Sequence, residues 1–247
     1  MSTKRSNEKR KKEEQVVELL LYNSCTNAFR QIHNFSSERI FAPTFEYGGP
    51  SARSCHKLCL DDERRHIFTL GRYLDSSMRL PEHLKSDFYI YDIENNKWSL
   101  ITEDTGAMGG PSLIFDHQMC MDVEKNTIYV FGGRVLTHNQ SFNERMLPSE
   151  QVCSGLYGYH VPTNAWTKLK PEFSSDKITT SNELRSRIGH SMLFNPRSRL
   201  MYIFAGQQYR EYLNDFFTYN VDTNEVHIIS DGSRKDGNES SYLKINL

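Results

Sequence analysis

The sequence lacks an apolar run long enough to cross a bilayer, and it has no excess of charge of one sign. Its 247 residues include 30 Lys and Arg against 31 Asp and Glu, a formal net charge of -1. This balance predicts no general affinity for nucleic acid or for a membrane surface. The N-terminus is charged from its fourth residue and lacks the apolar stretch of a secretory signal. We therefore expect a cytoplasmic protein.

Paired cysteines are also missing. The chain has five cysteines, an odd number without the spacing of a disulfide framework. Cys55 and Cys59, four residues apart on a predicted strand, would lie roughly 13 Å apart, too far for one zinc ion or a disulfide. Free thiols in a reducing compartment are the expected state, and no metal or other cofactor is predicted.

An internal repeat is the main feature of the sequence. Three segments share a frame that begins at His56, His117 and His190. Fifteen residues after each histidine come Gly71, Gly132 and Ala205, followed directly by Arg72, Gly133 and Gly206. The residues ahead of these turns are β-branched and aromatic, which predicts strands that end at a tight turn.

A second frame follows in each unit. Tyr91, Tyr159 and Tyr219 are each followed five residues later by an asparagine, and seven residues later by Trp98, Trp166 and Val226. Asparagine suits a hairpin turn that needs left-handed backbone angles, and the large residue after it can anchor the next strand. The spacing recurs at Tyr22, Asn27 and Phe29, so we interpret residues 16–32 as strands, although their apolar spacing also fits an amphipathic helix.

Radially repeated four-stranded sheets are the blades of a β-propeller. We predict an all-β fold with about three and a half blades, a partial propeller over residues 16–230. Its units are a half blade at 16–33 and whole blades at 50–101, 113–170 and 185–230. Residues 1–15 and 231–247 are predicted to be disordered tails.

The glycine pair, tyrosine and tryptophan resemble the kelch repeat, most clearly in Tyr129-Val-Phe-Gly-Gly133 with Tyr159 and Trp166. Longer stretches over roughly residues 47–235 resemble the muskelin family. They are Gly49-Pro-Ser-Ala-Arg-Ser-Cys-His56-Lys, Thr69-Leu-Gly-Arg-Tyr-Leu-Asp-Ser-Ser77, Phe115-Asp-His-Gln-Met-Cys-Met-Asp122, Phe131-Gly-Gly-Arg134, Arg187-Ile-Gly-His190, Tyr212-Leu-Asn-Asp-Phe-Phe217 and Ile228-Ile-Ser-Asp-Gly232.

The resemblance implies an intracellular, non-enzymatic scaffold or adaptor. Muskelins combine discoidin-like and LisH regions with a six-bladed kelch propeller, and are linked to a multisubunit RING-type ubiquitin ligase, cell spreading and cytoskeletal organisation. Subunits of such a ligase and cytoskeletal proteins are therefore the implied partners. The sequence lacks counterparts of the discoidin-like region, the LisH region and the later blades, so it is expected to represent a truncated form.

Arginine and tyrosine in the loops after the glycine turns are candidates for protein contact, because both residue types are common interface anchors. As a group they predict a binding rim, and the alternative is that each is an ordinary solvated loop residue. The candidates are Arg72, Tyr73, Arg79, Arg134, Tyr209 and Arg210.

Two further interpretations concern the frame histidines and a possible metal-dependent active site. One histidine per blade at equivalent positions indicates framework residues that donate to the backbone, rather than metal ligands. A metal-dependent propeller enzyme of the galactose-oxidase type would need tyrosine and histidine ligands, and Tyr157, Tyr159 and His160 are the nearest match in sequence. Strand composition and the repeat explain these three residues, so we predict no catalytic site.

Lys4 to Lys12 form a basic stretch that leaves import into the nucleus open, although a solvated tail explains it as well. A propeller that does not close leaves sheet edges and apolar faces unpaired. The isolated chain is thus expected to self-associate through these edges or to be marginally stable. A truncated product without autonomous function is the remaining alternative.

Overall fold

The structure is a computed structural model that describes residues 20–23, 28–31, 48–137, 152–170, 184–208 and 211–232. The predicted tail 1–15 and all but two residues of the tail 231–247 lie outside these ranges, so the unit boundaries stay predictions. The strands are β1 Leu20–Asn23, β2 Ala28–Gln31, β3 Lys57–Asp61, β4 His66–Leu70, β5 Phe88–Asp92, β6 Lys97–Thr102, β7 Ile114–Phe115, β8 Gln118–Asp122, β9 Thr127–Phe131, β10 Arg134–Val135, β11 Leu156–His160, β12 Ala165–Lys170, β13 Ser191–Asn195, β14 Leu200–Gln208, β15 Glu211–Asn220 and β16 Val226–Ser230.

Three four-stranded antiparallel sheets dominate the described part of the chain. Blade 1 has the order β3-β4-β5-β6, blade 2 the order β8-β9-β11-β12, and blade 3 the order β13-β14-β15-β16. Two-stranded sheets are formed by β1 with β2 and by β7 with β10. The described helical segments are short 3₁₀ turns at Ser76–Met78, Pro81–His83, Gly106–Met108 and Val161–Thr163, and none is long and apolar enough to cross a membrane. The prediction of an all-β partial propeller is confirmed.

The first hairpin repeats the pairing of the later blades. Strands β1 and β2 are antiparallel, with Tyr22 opposite Phe29. In the same way Tyr91 lies opposite Trp98 and Tyr159 opposite Trp166. Residues 20–23 and 28–31 are therefore strands rather than parts of a helix.

The five-residue spacing between tyrosine and asparagine has a direct structural cause. Asn96, Asn164 and Asn224 turn the hairpin with φ of 52°, 51° and 63°, the left-handed region that asparagine tolerates. Each asparagine side chain also accepts a hydrogen bond from the tyrosine hydroxyl, at 2.9 Å from Tyr159 to Asn164 and 2.6 Å from Tyr219 to Asn224. Tyr91 donates to Asn96 in the same way. The side-chain bond fixes the turn that the backbone angle permits.

The core lies between blades, because alternate residues of each strand face opposite neighbours. Val130 of β9 packs toward blade 1, whereas the next residue, Phe131, packs toward blade 3. In the first junction Phe88 lies 5.0 Å from Tyr159 and 5.5 Å from Trp166, measured between ring centroids. The second junction joins buried residues of blades 2 and 3, including Phe217. The buried side chains therefore fix blade stacking as well as each sheet.

Candidate protein-binding rim

The antiparallel order brings one set of loops from all three blades to the same end. Lys57 at the start of β3 lies opposite Leu70 at the end of β4, and Leu70 lies opposite Phe88 at the start of β5. The same arrangement holds in blades 2 and 3. The segments before each frame histidine, after each glycine turn and after each fourth strand therefore share this end, which we call the rim.

Two of the frame histidines, His117 and His190, pack against the glycine turns. A Cβ on Gly133 of blade 2 would lie 2.7 Å from the His117 Cβ, and one on Gly71 of blade 1 would lie 2.6 Å from the His117 Cε1. His190 repeats the arrangement, at 2.9 Å for Gly206 of its own blade and 2.8 Å for Gly132 of blade 2. Each of these two histidines thus packs its own turn against that of the preceding blade, and at these four glycines a larger residue has no room.

Hydrogen bonding to the backbone was expected of these histidines, and this interpretation is wrong for two of them. His117 and His190 are buried, and neither ring has a hydrogen-bond partner at either nitrogen among the described residues. Burial, with the nearby charge of Lys57 at His117 and of Arg187 at His190, lowers the pKa of each ring to about 3. Both are therefore neutral packing groups at physiological pH. Burial also lowers the pKa of the half-buried His56.

Partly buried arginine and aspartate pairs brace the rim in blades 1 and 3. Arg53 donates two hydrogen bonds of 2.9 Å to the Asp87 carboxylate. Arg187 donates bonds of 2.6 and 3.0 Å to the two oxygens of Asp215 in the same way. Such two-point pairing fixes geometry better than a single contact, because the planar guanidinium matches the carboxylate. The pairs tie the segment before the first strand to the residue before the third strand in blade 1, and to the third strand itself in blade 3.

Sequence reasoning missed these pairs, although the repeat contains a signal for them. In blades 1 and 3 an arginine stands three residues before the frame histidine and an aspartate four residues before the frame tyrosine. Blade 2 has Ile114 and Gly155 at these two positions. The two polar residues are thus present together or absent together, as expected for residues in contact.

Arg72 closes the loop between the second and third strands of blade 1. Its guanidinium donates 2.6 Å to Asp87 Oδ2, 3.1 Å to the carbonyl of His83 and 3.2 Å to that of Lys85. Its side chain is 15% exposed. Arg72 therefore supports the loop from beneath instead of presenting a free guanidinium.

Three other predicted rim residues meet around one aromatic pair. The rings of Tyr73 and Phe115 are nearly perpendicular, with centroids 5.3 Å apart. The guanidinium of Arg79 lies 5.6 Å from the Tyr73 ring, and that of Arg134 lies 6.0 Å from the Phe115 ring. The structure thus brings Tyr73, Arg79 and Arg134 together where blades 1 and 2 meet.

Arg79 does not have the exposure that a rim anchor needs. It is buried and donates 2.9 Å to the carbonyl of Leu74. We therefore correct its predicted role to that of a residue that packs the loop internally. Tyr209 and Arg210 lie outside the described residues, so their part in the rim remains a prediction.

Exposed apolar side chains on the rim were also missed. Met78 and Leu80 lie in the loop that Arg72 and Arg79 support, and they are 50% and 44% exposed. Met108 follows the fourth strand of blade 1 and is exposed as well. Tyr212, on the extended β14–β15 hairpin opposite Gln207, is 77% exposed. Methionine and tyrosine are enriched at protein interfaces.

The residues considered for metal-dependent catalysis have structural partners. Tyr157 is buried in the junction with blade 1, Tyr159 donates to Asn164, and the His160 Nδ1 lies 2.7 Å from the Thr163 hydroxyl. Within the described ranges, no group of three or more His, Cys, Asp or Glu side chains is placed to hold a metal ion. The four cysteines in these ranges, Cys55, Cys59, Cys120 and Cys153, are free thiols.

Comparison with known proteins agrees with the repeat geometry. The family described as the KLHDC2/KLHL20/DRC7 Kelch-repeats domain matches residues 81–230. The chain belongs to the kelch-repeat family. Kelch-repeat domains generally bind other proteins. A similar protein is Mei4-dependent protein 6 of Schizosaccharomyces pombe, which is 32% identical over 184 residues, or 73% of this chain and 25% of that protein. The chain thus spans about a quarter of the length of this relative.

Proposed function

We propose that this kelch-repeat chain is a non-enzymatic adaptor whose protein partner docks on the rim. The observation that carries the proposal is the pairing of exposed apolar side chains with buried supports in one loop. Met78 and Leu80 face solvent, while Arg72 and Arg79 hold the same loop through the carbonyls of Leu74, His83 and Lys85.

A supported loop suits recognition because little conformational freedom is lost on binding. Tyr212 supplies a rigid aromatic surface on the hairpin of blade 3. The arginine and aspartate pairs beneath the rim fix the strands from which both loops leave. The rim therefore combines a fixed base with exposed apolar contacts, as a docking site for a folded partner or a peptide requires.

We propose that the partners and the cellular location of this adaptor are those of a muskelin-like protein. This proposal rests on the sequence stretches that resemble muskelin, and it makes subunits of a multisubunit RING-type ubiquitin ligase or cytoskeletal proteins the expected partners. Cytoplasm is the proposed location, with the nucleus as a second compartment because of the basic stretch Lys4 to Lys12. The rim alone carries the binding proposal, so the two statements stand or fall separately.

The test is affinity capture with tagged chain, scored by quantitative mass spectrometry. The rim variant replaces Met78 and Leu80 by aspartate. The control replaces Ile228, which is 46% exposed on the outer strand β16, by aspartate. We expect a defined set of proteins to be lost with the rim variant and kept with the control.

Equal loss or equal retention in both variants would refute the rim as the docking surface. If the lost set contains neither ligase subunits nor cytoskeletal proteins, the adaptor remains and the muskelin-like setting is wrong.

A further inference from the structure

The loop between the second and third strands of blade 1, residues 71–87, is balanced in charge by sequence but not at its surface. It contains the basic residues Arg72, Arg79 and Lys85 and the acidic residues Asp75, Glu82 and Asp87. Arg72 pairs with Asp87 beneath the loop, and Arg79 is buried. Asp75 and Glu82 are exposed. The loop therefore uses its arginines internally and shows carboxylates to solvent.

The two exposed carboxylates are free to meet a partner. Lys85 pairs with Glu103 of a neighbouring segment, so among the described residues neither Asp75 nor Glu82 forms an ion pair. Asp75 stands directly before the 3₁₀ turn Ser76–Met78, and its side chain makes no capping hydrogen bond to that turn. Neither charge is therefore needed to hold the loop in place.

The exposed apolar side chains Met78 and Leu80 lie between these two carboxylates in the loop. The two 3₁₀ turns that carry them are joined by His83, whose ring Nδ1 lies 2.9 Å from the Met78 carbonyl oxygen. Glu82 is part of the second turn, Pro81–His83. A fixed loop thus presents two apolar side chains with a carboxylate on either side.

The segment after the fourth strand of blade 1 adds the same chemistry. The Thr105 amide donates 2.7 Å to the Ser86 carbonyl, so residues 103–110 lie against the end of the loop. This segment exposes Met108 and Glu103. Over residues 71–87 and 103–110 the exposed charged side chains are Asp75, Glu82, Glu103 and Lys85. The surface formed by these two segments, which we call the blade 1 rim, is apolar and acidic.

The exposure of the blade 1 rim does not come from a missing neighbour. The inner side of the loop packs where blades 1 and 2 meet, against the buried cluster of Leu113, Phe115 and Leu136. Both blades are described at this junction. The loop therefore covers a complete junction with its inner side and turns its outer side to solvent.

We propose that the partner segment bound on the blade 1 rim carries large apolar residues flanked by lysine or arginine. This inference rests on the proposed function, because it takes the rim as the docking surface. The apolar residues of the segment cover Met78, Leu80 and Met108, and its basic residues reach Asp75 and Glu82. Exposed ion pairs add little affinity each, but complementary charge speeds encounter and like charge rejects acidic segments.

Selection of random peptides displayed on phage tests the partner class. Peptides are selected on the full chain, and those that also bind a chain with Met78→Ser and Leu80→Ser are removed, because serine changes no charge. We expect the remaining peptides to combine large apolar residues with lysine or arginine. Remaining peptides that are acidic or uncharged would overturn this inference and leave rim docking intact. If no peptide depends on Met78 and Leu80, the proposed function fails as well.

Charge variants test the role of the carboxylates in binding of a selected peptide, measured by fluorescence anisotropy. Asp75→Asn with Glu82→Gln should weaken binding about fivefold. The matched control is Asp62→Asn with Glu63→Gln, which removes two exposed carboxylates from the β3–β4 turn at the opposite end of blade 1. The control should leave affinity unchanged. Equal affinities of the two variants would contradict the proposed contact.

Salt and charge reversal separate electrostatic recognition from a change in loop structure. The difference between the two variants should disappear at about 1 M salt, where charges are screened beyond about 3 Å. Asp75→Lys with Glu82→Lys should reverse the preference of the chain, so that it binds a copy of the peptide with glutamate in place of lysine and arginine. An unreversed preference would rule out recognition by charge.

Discussion

Arg187 donates two hydrogen bonds to Asp215 from a position where its own side chain is 1% exposed. Its guanidinium also lies 4.8 Å from the Phe217 ring and donates 3.0 Å to the carbonyl of Ala205. Arg53 and Asp87 repeat the ion pair in blade 1, with Tyr89 in the place of Phe217. In blades 1 and 3 the rim therefore rests on an ionic brace whose arginine side chain is buried, rather than on loop packing alone.

Removal of one member of this brace should be costly. Asp215→Ala leaves the Arg187 charge buried without its carboxylate, and we expect a loss of about 3 kcal/mol in the free energy of unfolding. Arg187→Met in addition removes the unpaired charge, so the double variant should be more stable than Asp215→Ala. Urea unfolding followed by tryptophan fluorescence measures both. A double variant no more stable than the single one would show that the pair is not an ionic brace.

The glycine turns provide a second prediction, with a matched control. Gly132 and Gly189 have similar φ values, 69° and 61°, so alanine strains the backbone similarly at both. A Cβ on Gly132 would collide with the Arg187 carbonyl and the His190 ring, whereas one on Gly189 meets nothing within 4 Å. Gly189→Ala should cost about 1 kcal/mol, and Gly132→Ala about 2 kcal/mol more from overpacking. Equal losses in thermal unfolding would contradict the packing of His190 on this turn.

Acid should destabilise the chain through His117 and His190. Burial lowers the pKa of each to about 3 in the folded chain, against about 6.5 when unfolded. Below pH 6.5 the unfolded state binds more protons than the folded state, so stability falls as the pH is lowered toward 3. Between pH 7 and pH 5 each histidine contributes a loss of roughly 2 kcal/mol.

Replacement of either histidine by glutamine should remove that histidine's contribution to the loss of unfolding free energy between pH 7 and pH 5. Urea unfolding at the two pH values measures the difference. An unaltered pH dependence in His117→Gln and His190→Gln would exclude the assigned burial as its source.

Arg72 should affect binding indirectly. Arg72→Met removes the bonds to Asp87 and to the carbonyls of His83 and Lys85, so hydrogen exchange should speed up in residues 74–85. Partner binding should weaken as a result. Met78→Asp should weaken binding without that change in exchange. If Arg72→Met lowered affinity while exchange in the loop stayed at the unmodified rate, Arg72 would be a direct contact instead.

The repeat in the sequence was sufficient to predict the blades, because strand ends and hairpin turns depend on local backbone preferences. The Asn96, Asn164 and Asn224 turns are of this kind. Whether the loop arginines are exposed or buried could not be predicted in the same way. Arg72 and Arg79 follow a glycine turn as a binding residue would. The path of the loop instead turns Arg72 toward Asp87 and the carbonyls of His83 and Lys85, and Arg79 toward Leu74 and Tyr73.

The way in which His117 and His190 are held could not be predicted from the sequence for a related reason. Position in the repeat identifies His117 and His190 as framework residues, but it does not distinguish a hydrogen-bonding ring from one packed between two glycine turns. The open face of blade 3 also depends on the arrangement of blades. Leu193 and Phe204 fit the apolar pattern of buried strands, and their exposure follows from the lack of a described blade beyond them.

Hydrogen exchange on the chain in complex with a partner recovered by affinity capture tests the central claim most directly. Docking on the rim predicts slowed exchange in residues 74–85 and at the β14–β15 hairpin around Tyr212, with strands β6, β12 and β16 unchanged. Protection confined to those three outer strands, with the rim loops exchanging as in the free chain, would contradict the assignment of the rim as the binding surface.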